Sequence, residues 1–307
     1  MQKKLSAIVV AGLLGTVLTG CGGSSSDTQA KKLPEIAPAG IENLEVSQDS
    51  LEGLWLTTIN VEGQRAVSVY EDIPILGDIS LSMQATGLMR ITGSSEQGYS
   101  YTNCSDEERE PQALRVEGNQ VIFPDSESDE PFSATIINNS KIIINTDGMS
   151  SSDSEEDPAS VQFNFNTASA SSYKVRDDVE SPIGTLQIAD NETINLYCME
   201  ASSVNSSLEI TGVPQTITTR QNTLELSDIN GTSLEADWLV TPEVEGFDIS
   251  SIIPSRSAVD FNYAGTNYNA DITNIEAPAS SFLEYSKQGT VTFDGNEIDF
   301  TLNIDLK

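Results

Sequence analysis

Beyond residue 50, apolar residues alternate with polar ones in run after run, and no stretch sustains the 3.6-residue period of a helix. Period two sends alternate side chains to opposite faces of an extended chain, the pattern of a strand with one buried face. In "FSATIINNSKIIIN" two β-branched runs flank Asn138-Asn139-Ser140, which reads as a hairpin. "VTFDGNEIDFTLNIDL" carries the tight-turn pair Asp294-Gly295, then Phe300, Leu302, Ile304 and Leu306 on one strand face. Further strands are expected around Val161-Phe163-Phe165, Leu186-Ile188, Leu208-Ile210, Leu224-Leu226 and Val259-Phe261-Tyr263. Turns are expected at Glu62-Gly63, Gly118-Asn119, Asp147-Gly148, Asn230-Gly231 and Gly289. Short strands at this spacing predict an all-β fold, an antiparallel sandwich or barrel.

One phrase occurs twice. "SLEGLWLTTINVEG" (50–63) returns 183 residues later as "SLEADWLVTPEVEG" (233–246), with nine of fourteen positions identical and both tryptophans of the chain at the matched place. The repeat suggests two related β-meanders, each begun by a Trp strand, which divides the region 50–307 into units 50–180 and 181–307. Period two then turns Leu51, Trp55 and Ile59 inward in the first copy, and Leu234 and Trp238 in the second. Leu54 matches Asp237, a pairing suited to an outward position. Pro242 in place of Ile59 predicts that the second strand ends sooner. Gly53-Leu54-Trp55 resembles the Gly-x-Trp opening of lipocalins; over those three residues the likeness implies a small closed barrel.

The chain has 47 acidic residues, 15 basic ones and no histidine, a formal charge of −32. Such a surface repels phosphate backbones, so nucleic acid is not expected as a partner. Without imidazole there is no Ser-His-Asp triad, no Cys-His dyad and no histidine-ligated metal.

"MQKKLSAIVVAGLLGTVLTGC" begins with Lys3 and Lys4 and continues as an apolar run too short for a comfortable membrane span, the design of an export signal. Its end, Leu18-Thr19-Gly20-Cys21, resembles the lipobox of bacterial lipoproteins. The resemblance implies cleavage after residue 20 and diacylglycerol on the Cys21 thiol, so that the membrane is a partner through the lipid. Gly22 follows the Cys where an Asp in that family favours retention in the inner membrane. The expected address is therefore the outer membrane, facing periplasm or cell surface. Residues 21–49, Gly/Ser-rich and then carrying Pro34 and Pro38, read as a lipidated flexible stalk.

Two cysteines remain, Cys104 and Cys198, each at the end of an expected strand. An oxidising compartment and the absence of a nearby His or Lys in sequence favour a disulfide between them over a reactive thiol pair. The acidic runs "SDEEREP", "PDSESDEP" and "DGMSSSDSEEDP" read as solvated loops. Calcium suits such carboxylates, but "DSEED" at 153–157 lacks the alternating ligand register of a calcium loop. Ser171-Ser172-Tyr173-Lys174 matches the Ser-x-x-Lys of penicillin-binding enzymes, though in a stretch that reads as loop or strand instead of a helix start. Tyr70, Tyr99, Tyr101 and Tyr268 offer either sugar stacking or ordinary core packing. No catalytic residue, cofactor or metal ligand is thus identified.

The function expected from these features is a non-catalytic binding or structural role for a lipid-anchored envelope protein. Its partner would be a small apolar ligand or another envelope protein. The alternative is a hydrolase of glycosidase type, which needs only carboxylates.

Overall fold

The structure, a computed structural model, describes residues 33–68, 76–104, 110–123, 132–146, 164–189, 193–210, 216–229, 232–240, 256–263, 266–272, 276–293 and 295–307. Among the described residues the regular elements are strands apart from a 3₁₀ turn at Ile41–Asn43, and every pairing is antiparallel. The fold is all-β, as the alternation predicts.

The first eight strands form a meander that closes. They are β1 (Gly53–Ser68), β2 (Leu76–Ser94), β3 (Gly98–Asn103), β4 (Gln112–Glu117), β5 (Gln120–Phe123), β6 (Phe132–Asn138), β7 (Lys141–Ile144) and β8 (Asn164–Arg176). Each pairs with the next, and β8 returns to β1, making an eight-stranded barrel. The second sheet comprises β9 (Gly184–Ile188), β10 (Ile194–Leu196), β11 (Cys198–Ile210), β12 (Thr216–Ser227), β13 (Ser233–Val240), β14 (Arg256–Tyr263), β15 (Thr266–Ile272), β16 (Glu284–Phe293) and β17 (Asn296–Asp305). β10 runs into β11 through Tyr197, and β17 pairs back onto β9, so these pairings also return to their start.

β2 belongs to both sheets. One edge pairs with β1 from Leu76 to Ile91. The other edge pairs with β3 from Met89 to Ser94 and with β11 from Gly77 to Gly87. The two closed sheets are joined by hydrogen-bonded backbone.

Each interior is filled by the inward half of the alternation. Trp55, Ile59, Met83, Ile91, Val121 and Ile142 pack inside the first barrel with Leu51, whose carbonyl accepts the Trp55 indole N–H at 2.8 Å. Leu234, Trp238, Met199, Leu224, Leu302 and Ile304 fill the second sheet, with Phe300 and Leu306 alongside. Leu54 does point out of the first barrel, but it is fully buried, as is Leu56. Together with Leu88 and Val175 they form part of the second core. One stretch of β1 is therefore apolar on both faces because each face borders a different core.

The repeated Trp phrase falls on strands at unequal places. β1 opens the first barrel, whereas β13 is preceded in the second sheet by β9 to β12, so the phrase does not begin the second meander. A half-buried alternating strand with one large ring suits any place in such a sheet, which removes its value as a marker of the unit's start. β13 ends at Val240, two residues before Pro242. The glycines that open the two sheets correspond better. A Cβ on Gly53 would meet the Arg176 carbonyl of the closing strand β8 at 2.7 Å, and one on Gly184 would fall on the Asn303 carbonyl of the closing strand β17.

Hairpins occur as expected at Asn139-Ser140, at Gly118 (φ 63°) and at Gly295 (φ 76°). Glu62-Gly63 and Gly289 lie instead inside β1 and β16. The register between β1 and β8 shifts at Glu62/Gly63, so that glycine marks a bulge, and Gly289 pairs with Phe300.

The segment expected as free stalk is docked from residue 33 onward. Leu33 is buried, and the Pro34 carbonyl accepts from Ser169 Oγ (2.9 Å) and Asn60 Nδ2 (3.3 Å). Thr58 Oγ1 donates to the Ile36 carbonyl at 2.7 Å. Glu35 pairs with Lys141 at 2.6 Å and accepts from Tyr173 Oη at 3.3 Å. Its far end is held by Ser47 N–H on the Asp177 carboxylate and by Asn139 Nδ2 on the Gln48 carbonyl. Outward hydroxyls and amides on β1 and β8 supply donors that composition alone does not reveal.

Candidate functional site

A groove of about 170 Å³ opens beside the Cys104–Cys198 disulfide, at the junction of the two sheets. Cys104 follows β3 and Cys198 starts β11, with Cα atoms 5.3 Å apart, so the bond staples the first barrel to the second sheet. Arg90 on β2 braces the same corner. Its Nε donates to the Val179 carbonyl at 3.1 Å, its Nη2 to the Tyr197 carbonyl, and its Nη1 lies 3.9 Å from both sulfurs. Sequence proximity misses this cation, because the fold brings it 14 and 108 residues across the chain to the two cysteines.

Glu200, Glu225 and Glu235 also line the groove. They are Cα partners in register on β11, β12 and β13, so their side chains leave one face at strand spacing, about 4.8 Å. Like charges directly opposite one another oppose ionisation. Burial raises the Glu225 carboxyl above its ordinary range, and the charge of Asp237 adds to the effect. The arrangement sets three carboxyls side by side with the middle one raised, a juxtaposition that spacing in sequence could not disclose.

Other expected features are placed as follows. Ser171-Ser172-Tyr173-Lys174 lies within β8. Ser171 and Lys174, three residues apart on a strand, project to opposite faces, so no nucleophile–base pair forms. Lys174 is buried, with Nζ donating to Asp177 Oδ1 and the Ser50 carbonyl, both at 2.9 Å. Tyr101 is buried edge-on to Phe123, with ring centroids 5.1 Å apart, and Tyr99 packs against the first core. Both serve packing. Tyr70 and the Tyr268 side chain lie outside the described residues, as do Cys21, the lipobox and the acidic stretch 153–157. Among the described residues no three His, Cys, Asp or Glu side chains are grouped to hold a metal ion, and no helix is long and apolar enough to cross a membrane.

No protein-family model, curated protein or solved structure matches the chain.

Proposed function

We propose that this chain is an outer-membrane lipoprotein, anchored through Cys21, whose folded body has a non-catalytic binding or structural role in the cell envelope. The observation that favours a partner at the surface over a ligand carried inside is the filled interior of both sheets. Trp55, Ile91, Val121 and Ile142 in one, and Met199, Leu224 and Leu226 in the other, are at most 1 % exposed. Carriers of small apolar molecules hold an unfilled pocket, commonly of about 300–1,000 Å³. A partner met at the outer surface, another envelope protein, fits this body better than a ligand carried inside.

Two experiments test the reading. Cys21→Ser should abolish incorporation of a fatty-acid analogue and release the protein from membranes; normal labelling of that variant ends the anchor proposal. Native mass spectrometry of the released protein should give the mass of the chain alone; a retained apolar ligand would refute surface binding.

One observation favours the hydrolase reading, namely the raised Glu225 carboxyl beside Glu200 and Glu235 in a groove. Glycoside hydrolysis uses a pair of carboxyls, one of them raised so that it can act as the acid. At about 170 Å³ the groove is small for a sugar substrate. Aryl-glycoside turnover that Glu225→Gln abolishes would establish this reading in place of the first.

A further inference from the structure

We propose that segment 33–49 is a releasable latch that sets how far the folded body stands from its anchor; the reach part of this inference rests on lipidation at Cys21.

The latch is held differently from every strand it touches. β1 is paired on both edges, with β2 and with β8, so the segment has no sheet edge to join. Its polar attachments are instead side-chain bonds at its two ends. One end has the Pro34 and Ile36 carbonyls and the Glu35 carboxylate; the other has the Ser47 N–H and the Gln48 carbonyl. Between them Ile41 and Leu44 are only partly buried against the second core. Removing the segment therefore breaks no ladder of either sheet.

The surface beneath the Pro34 end is suited to solvent. Thr58, Asn60, Ser169 and Tyr173 are all buried there, and each carries a hydroxyl or amide that water can serve. Release exposes these polar groups, which water can serve, together with the buried Leu33 and Pro38 and the partly buried Ile41 and Leu44, but it opens no strand ladder, so its free energy lies below that of opening a barrel. The Lys141 ammonium, hydrogen-bonded to Glu35, holds that carboxyl below its ordinary range, and this pair is the segment's one ion pair among the described residues.

The consequence is a step in reach. With the segment docked, residues 22–32 alone link the lipid to the body, at most about 40 Å of chain. With it released, residues 22–49 do so, at most about 100 Å. A body held close to its own membrane would become able to meet a partner well beyond it.

The test uses the full mature chain in lipid nanodiscs, with nitroxides at Ala37→Cys and Gln120→Cys, both exposed positions. Pulsed dipolar spectroscopy should resolve a narrow distance from the docked segment and a broad component from the released one. Glu35→Gln should enlarge the broad component by about two- to fivefold, the effect of losing a partly exposed ion pair, with circular dichroism unchanged. A single narrow distance that persists in Glu35→Gln, and in Glu35→Gln combined with Thr58→Ala and Asn60→Ala, overturns the latch. In a second arm, energy transfer from a dye at Gln120→Cys to headgroup acceptors should fall in Glu35→Gln; undiminished transfer despite an enlarged broad component overturns the control of reach. Intact mass of the same samples reports the lipid on Cys21 separately, so a failed anchor is distinguished from a failed latch.

Discussion

The two glycines that open the sheets, with a third in a hairpin, allow a closed test of what holds each seam. Gly118 has φ 63° and nothing within 4 Å of where a Cβ would stand, so Gly118→Ala carries only the penalty of left-handed backbone, about 1–2 kcal/mol. Gly184 has no such φ, but its Cβ would fall on the Asn303 carbonyl and lie 3.0 Å from Ile304 Cα. Gly184→Ala therefore carries only the contact, typically about 1–3 kcal/mol for overpacking, applied to a seam of five residue pairs between β9 and β17. Gly53 combines φ 151° with a Cβ position 2.7 Å from both the Arg176 carbonyl and Lys174 Cδ. Gly53→Ala should then lose about 2–5 kcal/mol, close to the sum of the other two losses. Urea unfolding followed by far-ultraviolet circular dichroism gives all three values, and distant sites should combine additively. If Gly184→Ala is indistinguishable from wild type, or Gly53→Ala is no worse than Gly118→Ala, the closing strands do not press on these glycines and the account of the seams fails.

Trp55 and Trp238 are 0 % and 6 % exposed, so each single-tryptophan variant should emit blue-shifted fluorescence that iodide barely quenches, and each Trp→Ala should lose about 3–5 kcal/mol; emission like aqueous indole from either would show that its ring is not in a core. The unreduced protein should weigh two hydrogens less than the reduced form, and opening the 94-residue loop should destabilise it by about 4–5 kcal/mol; two alkylatable thiols without reductant would contradict the staple. For Glu225 the folded carboxyl is raised above its ordinary value of 4.5, so its contribution favours folding at low pH and is lost as pH rises through the raised value. Glu225→Gln should accordingly stabilise the protein at neutral pH and lose that advantage in acid. A melting-temperature difference that does not change with pH would refute the burial argument.

The fold class was legible because alternation survives in nearly every strand, from Leu234-Ala236-Trp238 to Leu302-Ile304. Leu51, Trp55 and Ile59 likewise take the inward face that period two assigns. Period two specifies two faces but not what lies against the outer one. For that reason Leu54 and Leu56 gave no sign of the second core, and the Pro-containing segment gave no sign that Thr58, Asn60 and Ser169 await its carbonyls. Gly63 and Gly289 show a related limit. A local turn preference yields where a neighbouring strand already pairs the residue, so Gly63 becomes a bulge and Gly289 a plain strand position opposite Phe300. The groove was least legible of all. Glu200, Glu225 and Glu235 meet only because three strands set their register, and Arg90 reaches the disulfide from a strand the cysteines do not share.

The double membership of β2 bears on how the chain reaches this state. As the chain folds, β1 lies next to β2 in sequence, but the edge that β11 covers stays open until residues 200–210 dock. An uncovered strand edge is a template for pairing with another chain. A chain truncated before β11 should therefore leave residues 77–87 of β2 open on one edge and self-associate more readily than the full chain.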